Sequence, residues 1–399
     1  MRPVTMFHSD RFGAWDDAVL EVPLTRQSAQ VRPPRFTCVH PQQSCMSIKV
    51  TPVGSRAAGV SSPPISGRVE LLDGWRAASI LAVLAGHWLP LGPKSWALNG
   101  AVAAAGMAMF FCLSGYLITN LLLRDSDPRR FLIRRLLRIV PLAWLAMIIL
   151  AVANRADAAT VAANVLFYAN LPPSRLMDGG APLWSLCLEV QFYLTAAVIV
   201  TLFGRRGLFL LPLLAAGVTI HRVFAGITIS ITTWERVDEI LAGATLALLL
   251  SRRENGRDPL LPRWLPLPLA GLLVASSHPA LEPLAYARPY LAAAAIGTSL
   301  ITAPRWFNAL LRSRYARYIA EISYALYVIH GVLTATWLGG EEATTGEKYA
   351  RRPLLIIATF ALAHLSTRYF ERHFTALGRS LTERPAPLHD QPRQPGKPQ

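Results

Sequence analysis

Charge and cysteine are both scarce in this chain, and each scarcity narrows its class. Only 16% of its 399 residues are charged, whereas a soluble globular domain carries about 25%. The length therefore does not divide naturally into soluble domains. Four cysteines occur: Cys38 and Cys45 in the N-terminal arm, Cys112 and Cys187 in apolar segments. Their spacing matches neither a metal site nor a secreted disulfide framework. No zinc or haem motif accompanies them, so no metal is expected. No repeat at a fixed period is present, and the apolar stretches lack the strict alternation of barrel strands. Acids are few as well, 24 against 40 lysines and arginines, for a net charge of +16. That excess does not form one basic domain with interleaved aromatic residues, which argues against nucleic acid as a partner. It is spread among loops, as membrane topology produces.

What is present is apolar length. Hydrophobic residues make up 52% of the chain and the mean hydropathy is positive. Apolar stretches near the length needed to cross a bilayer recur from Leu71 to Phe370. Only helices or closed barrels satisfy backbone polar groups in lipid, and these Ala- and Leu-rich stretches read as helices. The expected fold is an all-α, polytopic membrane helical bundle of about ten transmembrane helices. They begin near Ala77, Gly100, Leu136, Pro182, Gly207, Val237, Pro262, Leu284, Arg317 and Pro353. Pro259, Pro262, Pro266 and Pro268 crowd the start of the seventh, where a broken or tilted helix is expected.

Residues 1–66 have no sustained apolar run and read as a disordered arm, with Met46 an alternative translation start. Residues 67–375 form the membrane domain, and 376–399 a polar, Pro-rich tail. Alternate loops differ in basic content. One set, which includes Arg124, Arg135, Arg138, Arg205, Arg252, Arg253, Arg257 and Arg305, holds sixteen Lys and Arg; the other, with Lys94, Arg155, Arg222 and Arg288, holds eight. The richer set is expected to face the cytoplasm, which places both termini there.

Several polar residues interrupt the apolar pattern. Arg76 and His87 lie eleven residues apart in the first span, close to three turns, so both project from one face roughly 16 Å apart. Asp73 accompanies Arg76 at what is expected to be the cytoplasmic mouth. By itself the pattern also suits a structural span with a terminal arginine and a hydrogen-bonded histidine. Intramembrane ionisable groups are nevertheless functional candidates. Arg135 and Arg138 are one turn apart and suit phosphate oxygens, although positive-inside retention explains them equally. Ser185, Glu189 and Tyr193 recur at four-residue spacing on one face beside Trp184. Glu189 could orient His87, bind an acceptor hydroxyl, or form a structural ion pair. Gly106, Ser114 and Gly115 read chiefly as a close-packing surface. His330 and His364 are expected to make structural polar contacts, with Tyr327 on the same side of its helix as His330.

These segments occur in a diagnostic order. Leu72-Asp-Gly-x-Arg-Ala with Arg76-x10-His87 comes first, then Phe110-Phe-x-Leu-Ser-Gly115, then Arg135-x-x-Arg138 with Pro141. Trp184-Ser-Leu-x-x-Glu189-x-Gln-Phe-Tyr193, Ser323-Tyr-x-Leu-Tyr-x-x-His330 and Tyr369-Phe-Glu-Arg follow. Together they resemble the integral-membrane acyltransferase 3 family, which includes bacterial O-acetyltransferases of surface polysaccharides and nodulation factors. Two positions depart from the family pattern: Ala108, where relatives often carry a polar residue, and His373, where proline is common.

The resemblance implies transfer of an acyl group, usually acetyl from acetyl-CoA, to a sugar hydroxyl in the bacterial cytoplasmic membrane. Arg76, Arg135 and Arg138 would hold the donor's phosphates. His87 would act as base or transient acyl carrier, and Glu189 would support it. Asp73, Ser114, Trp184, Ser185 and Tyr193 would bind substrate or brace the site. Membrane lipid and a carbohydrate or glycoconjugate acceptor are the implied partners. With no hydrolase-like domain after the last span, transfer is expected to be completed within the membrane unit. The alternative is a proton-coupled transporter or flippase of an envelope precursor, with the same residues lining a path.

Overall fold

The computed structural model describes residues 65–252, 261–339 and 345–383. The expected arm up to residue 64, the alternative start at Met46, Cys38, Cys45, Arg253, Arg257, Pro259 and the chain beyond residue 383 lie outside the described residues. Among those described, every regular element is helical. The chain opens with α1 (Ile65–Trp88), α2 (Leu98–Arg124) and α3 (Pro128–Ala153). A short α4 (Ala158–Val165) leads to α5 (Trp184–Phe203), α6 (Leu211–Ala225) and the single turn α7 (Thr233–Arg236). Next come α8 (Asp238–Ser251), α9 (Pro266–Ala275), α10 (Arg288–Ile301) and α11 (Arg305–Leu311). After α12 (Arg314–Thr334), α13 (Thr345–Leu365) passes through a π-helical turn at Ser366–Glu371 into α14 (Arg372–Ser380).

Local chemistry sets the register of the helices that matter most. The Asp127 carboxylate accepts hydrogen bonds from the backbone N–H groups of Arg129 and Arg130 at 3.1 and 3.2 Å. Pro128 occupies the first turn, where its missing N–H is harmless. This start fixes the turn of α3 on which Arg135 and Arg138 stand. Ser313 caps α12 in the same way, accepting from the Ala316 N–H at 3.1 Å.

Helix α2 packs between α1 and α8 through its small residues. A Cβ built on Gly106 would lie 2.8 Å from the Ser79 carbonyl oxygen of α1. Gly115 lies against the Ile240 carbonyl of α8, and Gly243 of α8 lies in turn against the Cys112 carbonyl of α2. Each glycine thus faces rigid backbone, which cannot swing aside as a side chain can. Gly115→Ala is expected to destabilise the fold by about 1–3 kcal/mol, the usual range for overpacking. A lowered thermal transition of the detergent-solubilised protein checks this; an unchanged transition would show that the two backbones can separate freely.

Apolar side chains also face outward in continuous rows. Leu194, Val198 and Leu202 follow one another every four residues along α5 and are all exposed, as are Trp144, Leu145, Ile148 and Ile149 on α3. Apolar surface of that extent suits lipid. Four helical segments are long and apolar enough to cross a membrane: Leu98–Arg124, Pro128–Ala153, Ala181–Ala225 and Gly346–Ser380. These features suit a chain that crosses a membrane. The expectation of about ten spans is not reached on this measure. Helices α6, α8, α9 and α10 have 15, 14, 10 and 14 residues, short of the ~20 that cross a bilayer untilted.

Two boundaries also differ from expectation. Helix α1 begins at Ile65, ahead of the expected start near Ala77, so Arg76 lies within a continuous helix. Residues 376–380, expected to open a solvated tail, lie in α14. There Gly378 packs on Leu137, and the Arg134 Nε donates to Thr382 Oγ1 at 2.6 Å.

Candidate functional site

Five helices contribute to one small cavity, with a volume of about 50 Å³. Arg76 enters from α1, Phe110 and Ser114 from α2, Arg135 and Arg138 from α3, Glu189 and Tyr193 from α5, and Ser323 and Tyr324 from α12. Arg76 has Asp73 as an ion-pair partner at 3.7 Å. Arg135 and Arg138 have no carboxylate within ion-pair distance among the described residues, so their charge is available to an anion. Three guanidinium groups from two helices therefore line one cavity, an arrangement suited to phosphate oxygens.

Glu189 is buried, at 4% exposure, and its hydrogen bonds define the inner wall. Its Oε1 accepts from the Ser114 hydroxyl and from the Tyr193 hydroxyl, the latter at 2.6 Å. No hydrogen bond among the described residues joins Glu189 to His87. Of the roles open to Glu189, direct orientation of the His87 imidazole is therefore not seen. Ser185, on the same face of α5, turns to another partner and donates to Tyr327 Oη at 2.7 Å. Tyr327 itself donates to the Pro182 carbonyl at 2.6 Å.

His87 lies on the other side of an aromatic partition. Phe110, which lines the cavity, stacks on Tyr327 with ring centroids 5.9 Å apart and 10° between planes. Tyr327 in turn contacts the ring of His330 at 5.4 Å. His330 stacks on His87 at 5.2 Å, with His87 Nδ1 and His330 Nε2 3.1 Å apart. His330 is buried while His87 remains exposed. The imidazole expected to be catalytic is thus reachable and is braced by a second imidazole that sequence reasoning treated as structural. The signal available for His330 was its one-sided alignment with Ser323 and Tyr327 on α12. His364, by contrast, makes the peripheral contact expected of it, 3.0 Å from Tyr318 Oη.

A second polar cluster supports the wall behind Trp184. The Trp184 ring packs edge-on against Phe111 at 5.6 Å and lies under the Arg236 guanidinium at 5.7 Å. Arg236 Nε is 3.3 Å from Glu239, Arg288 Nε is 2.8 Å from the same carboxylate, and Arg222 pairs with Asp238 at 2.5 Å. Arg222 and Arg288 are fully buried. Their count as loop charges is therefore corrected: both are ion-pair partners of α8. Of the two departures from the family pattern, Ala108 is buried in the apolar core away from the cavity lining and His373 is exposed.

The acyltransferase 3 family model, described as an acyltransferase domain, matches residues 69–367. The chain belongs to this family. Among curated proteins it is 27% identical over 362 residues to peptidoglycan O-acetyltransferase OatA of Listeria monocytogenes, covering 76% of this chain and 55% of that protein. It is also 28% identical over 166 residues to nodulation protein 10 of Rhizobium leguminosarum bv. viciae, covering 34% of this chain and 44% of that protein. The chain thus spans about half the length of these relatives. No solved structure matches it. The family match contains every residue placed above at the cavity and at the histidine pair.

Proposed function

We propose that this protein is an integral-membrane O-acyltransferase that moves an acetyl group from acetyl-CoA to a hydroxyl of an envelope carbohydrate or glycoconjugate. The observation that carries this reading is the convergence of Arg76, Arg135 and Arg138 on one cavity, on the same helix system that carries His87. CoA presents a diphosphate and a ribose phosphate, and these arginines match such groups in charge and geometry. Donor identity rests on that match and on the names of the relatives, OatA being a peptidoglycan O-acetyltransferase.

In the proposed reaction the phosphates bind at the arginines and the acyl-pantetheine arm extends past Phe110 toward His87. His87 takes the proton of the acceptor hydroxyl as the oxygen forms its bond to the thioester carbonyl carbon. The C–S bond then breaks, and the proton held by the imidazole passes to the departing thiolate, giving an ester and free CoA. Glu189, fixed by Ser114 and Tyr193, has its second oxygen left to accept from a substrate hydroxyl or amide. Metal plays no part in this scheme.

The same reading assigns about ten spans to the bundle, with the shorter helices tilted or paired across the bilayer and both termini in the cytoplasm. Placing the protein in the bacterial cytoplasmic membrane puts the arginine cavity within reach of acetyl-CoA. Moving Arg222 and Arg288 out of the loop count sharpens the contrast in basic residues between the two faces.

Arg135→Gln and Arg138→Gln are each expected to raise the KM for acetyl-CoA by about tenfold or more, the worth of a charge-assisted hydrogen bond, with a smaller change in kcat. Initial rates of labelled acetyl transfer by purified variants check this. Mass analysis of envelope glycans from cells with and without the active protein tests the function itself. Acetyl esters that depend on the protein support it; an identical ester content in both would overturn it.

A further inference from the structure

We infer that His330 is a positioning residue that fixes the tautomer of His87 and leaves the His87 Nε2 lone pair as the base. The chain of reasoning begins at a backbone carbonyl. His330 Nδ1 lies 2.5 Å from the Tyr327 carbonyl oxygen. A carbonyl only accepts, so His330 Nδ1 carries a proton. In a neutral imidazole the other nitrogen, Nε2, is then an acceptor. His87 Nδ1 is 3.1 Å from it and must donate. Its proton is thereby assigned to Nδ1, and His87 Nε2 is left unprotonated.

The competing assignment makes His330 an imidazolium that donates from both nitrogens. No carboxylate lies within ion-pair distance of either ring among the described residues, and His330 is 1% exposed. A buried cation with no counter-ion is strongly disfavoured. The ring of His330 is also held from turning. Trp88 meets it edge-on at 5.9 Å, and Trp88 is itself anchored through Nε1 to Thr334 Oγ1 at 3.2 Å. Thr334 Oγ1 donates back to the His330 carbonyl at 2.7 Å. Orientation thus passes from the backbone of α12 through two imidazoles to the His87 Nε2 lone pair.

During transfer the acceptor proton arrives at His87 Nε2, and the imidazolium that forms keeps its Nδ1–H donated to His330 Nε2. That hydrogen bond strengthens as the charge develops, the role a carboxylate fills in hydrolase triads. His330 touches no reacting atom. This inference rests on His87 being the base, but its first test reads protonation without turnover.

The experiment is ¹⁵N NMR of histidine-labelled protein in lipid nanodiscs, with the His87 signals assigned by their loss in His87→Gln. The wild type is expected to show a protonated Nδ1 and an unprotonated Nε2 at residue 87. His330→Ala is expected to lose that preference and to lower kcat on the order of 10²-fold, with KM for acetyl-CoA within about twofold. In His330→Gln the amide oxygen can accept from His87 Nδ1, so tautomer and most activity return. An unprotonated Nδ1 in the wild type would overturn the inference. So would equal losses in the Ala and Gln variants with the His87 tautomer unchanged. If purified protein transfers no acetyl group under any condition, the functional proposal fails while the tautomer assignment is still read from the spectrum.

Discussion

His87→Gln is expected to reduce acetyl transfer by about 10²–10⁴-fold, the contribution of a positioned general base, while the protein remains folded and still binds CoA. Glutamine keeps much of the side chain's volume and can hydrogen-bond to His330, but it cannot take up and release a proton. The cavity lined by Arg76, Arg135 and Arg138 does not include His87. Affinity and chemistry should therefore separate: kcat falls, whereas CoA binding measured by calorimetry changes little. Wild-type turnover in this variant would remove His87 from the reaction. A parallel loss of CoA binding would place it in the donor site instead.

Asp238→Ala is expected to give the largest loss of stability, about 3–5 kcal/mol, because it strands the fully buried Arg222 without its counter-ion. The Arg222 Nη2 still donates to the Thr228 carbonyl at 2.8 Å, but a neutral carbonyl does not balance a buried charge. The damage should come from the unpaired charge and not from lost volume. A double replacement, Arg222→Met with Asp238→Leu, is therefore expected to recover most of the stability. The folded fraction in detergent on heating compares the two. A single variant as stable as the wild type would show that water or lipid headgroups reach this cluster. Since Arg236 of the same cluster covers Trp184, the single variant should also loosen the packing of Trp184 on Phe111.

Much of the arginine cavity and the position of His87 were legible because their signals are local. Arg76 and His87 share a stripe by helical period alone, and Arg135 and Arg138 sit one turn apart on a helix whose start is written in Asp127-Pro128. The histidine pair was not legible. His87 and His330 are 243 positions apart, and a histidine on an apolar helix looks the same whether its partner is a carbonyl or another imidazole. The same limitation explains Arg222 and Arg288, which resemble loop charges until Asp238 and Glu239 are brought against them. Ser185, Glu189 and Tyr193 showed a true common face, yet their spacing could not reveal that Ser185 pairs with Tyr327 while Glu189 holds Ser114 and Tyr193. Helix α1 illustrates the reverse effect: Asp73, Arg76 and His87 lower the apolar character of a helix 24 residues long, so the residues that signal function obscure the span that carries them.

The central claim is that the arginine cavity binds an acyl-CoA and that the acyl group is transferred, not carried across the membrane as a free solute. Purified protein reconstituted in vesicles, with acetyl-labelled acetyl-CoA supplied only on the side reached by Arg135 and Arg138 and envelope glycan on both, measures this directly. The account predicts label in ester linkage to glycan, at a rate that saturates with acetyl-CoA and falls in the Arg135→Gln variant. Label that crosses the membrane without any glycan ester would contradict it and assign the same residues to a transport path.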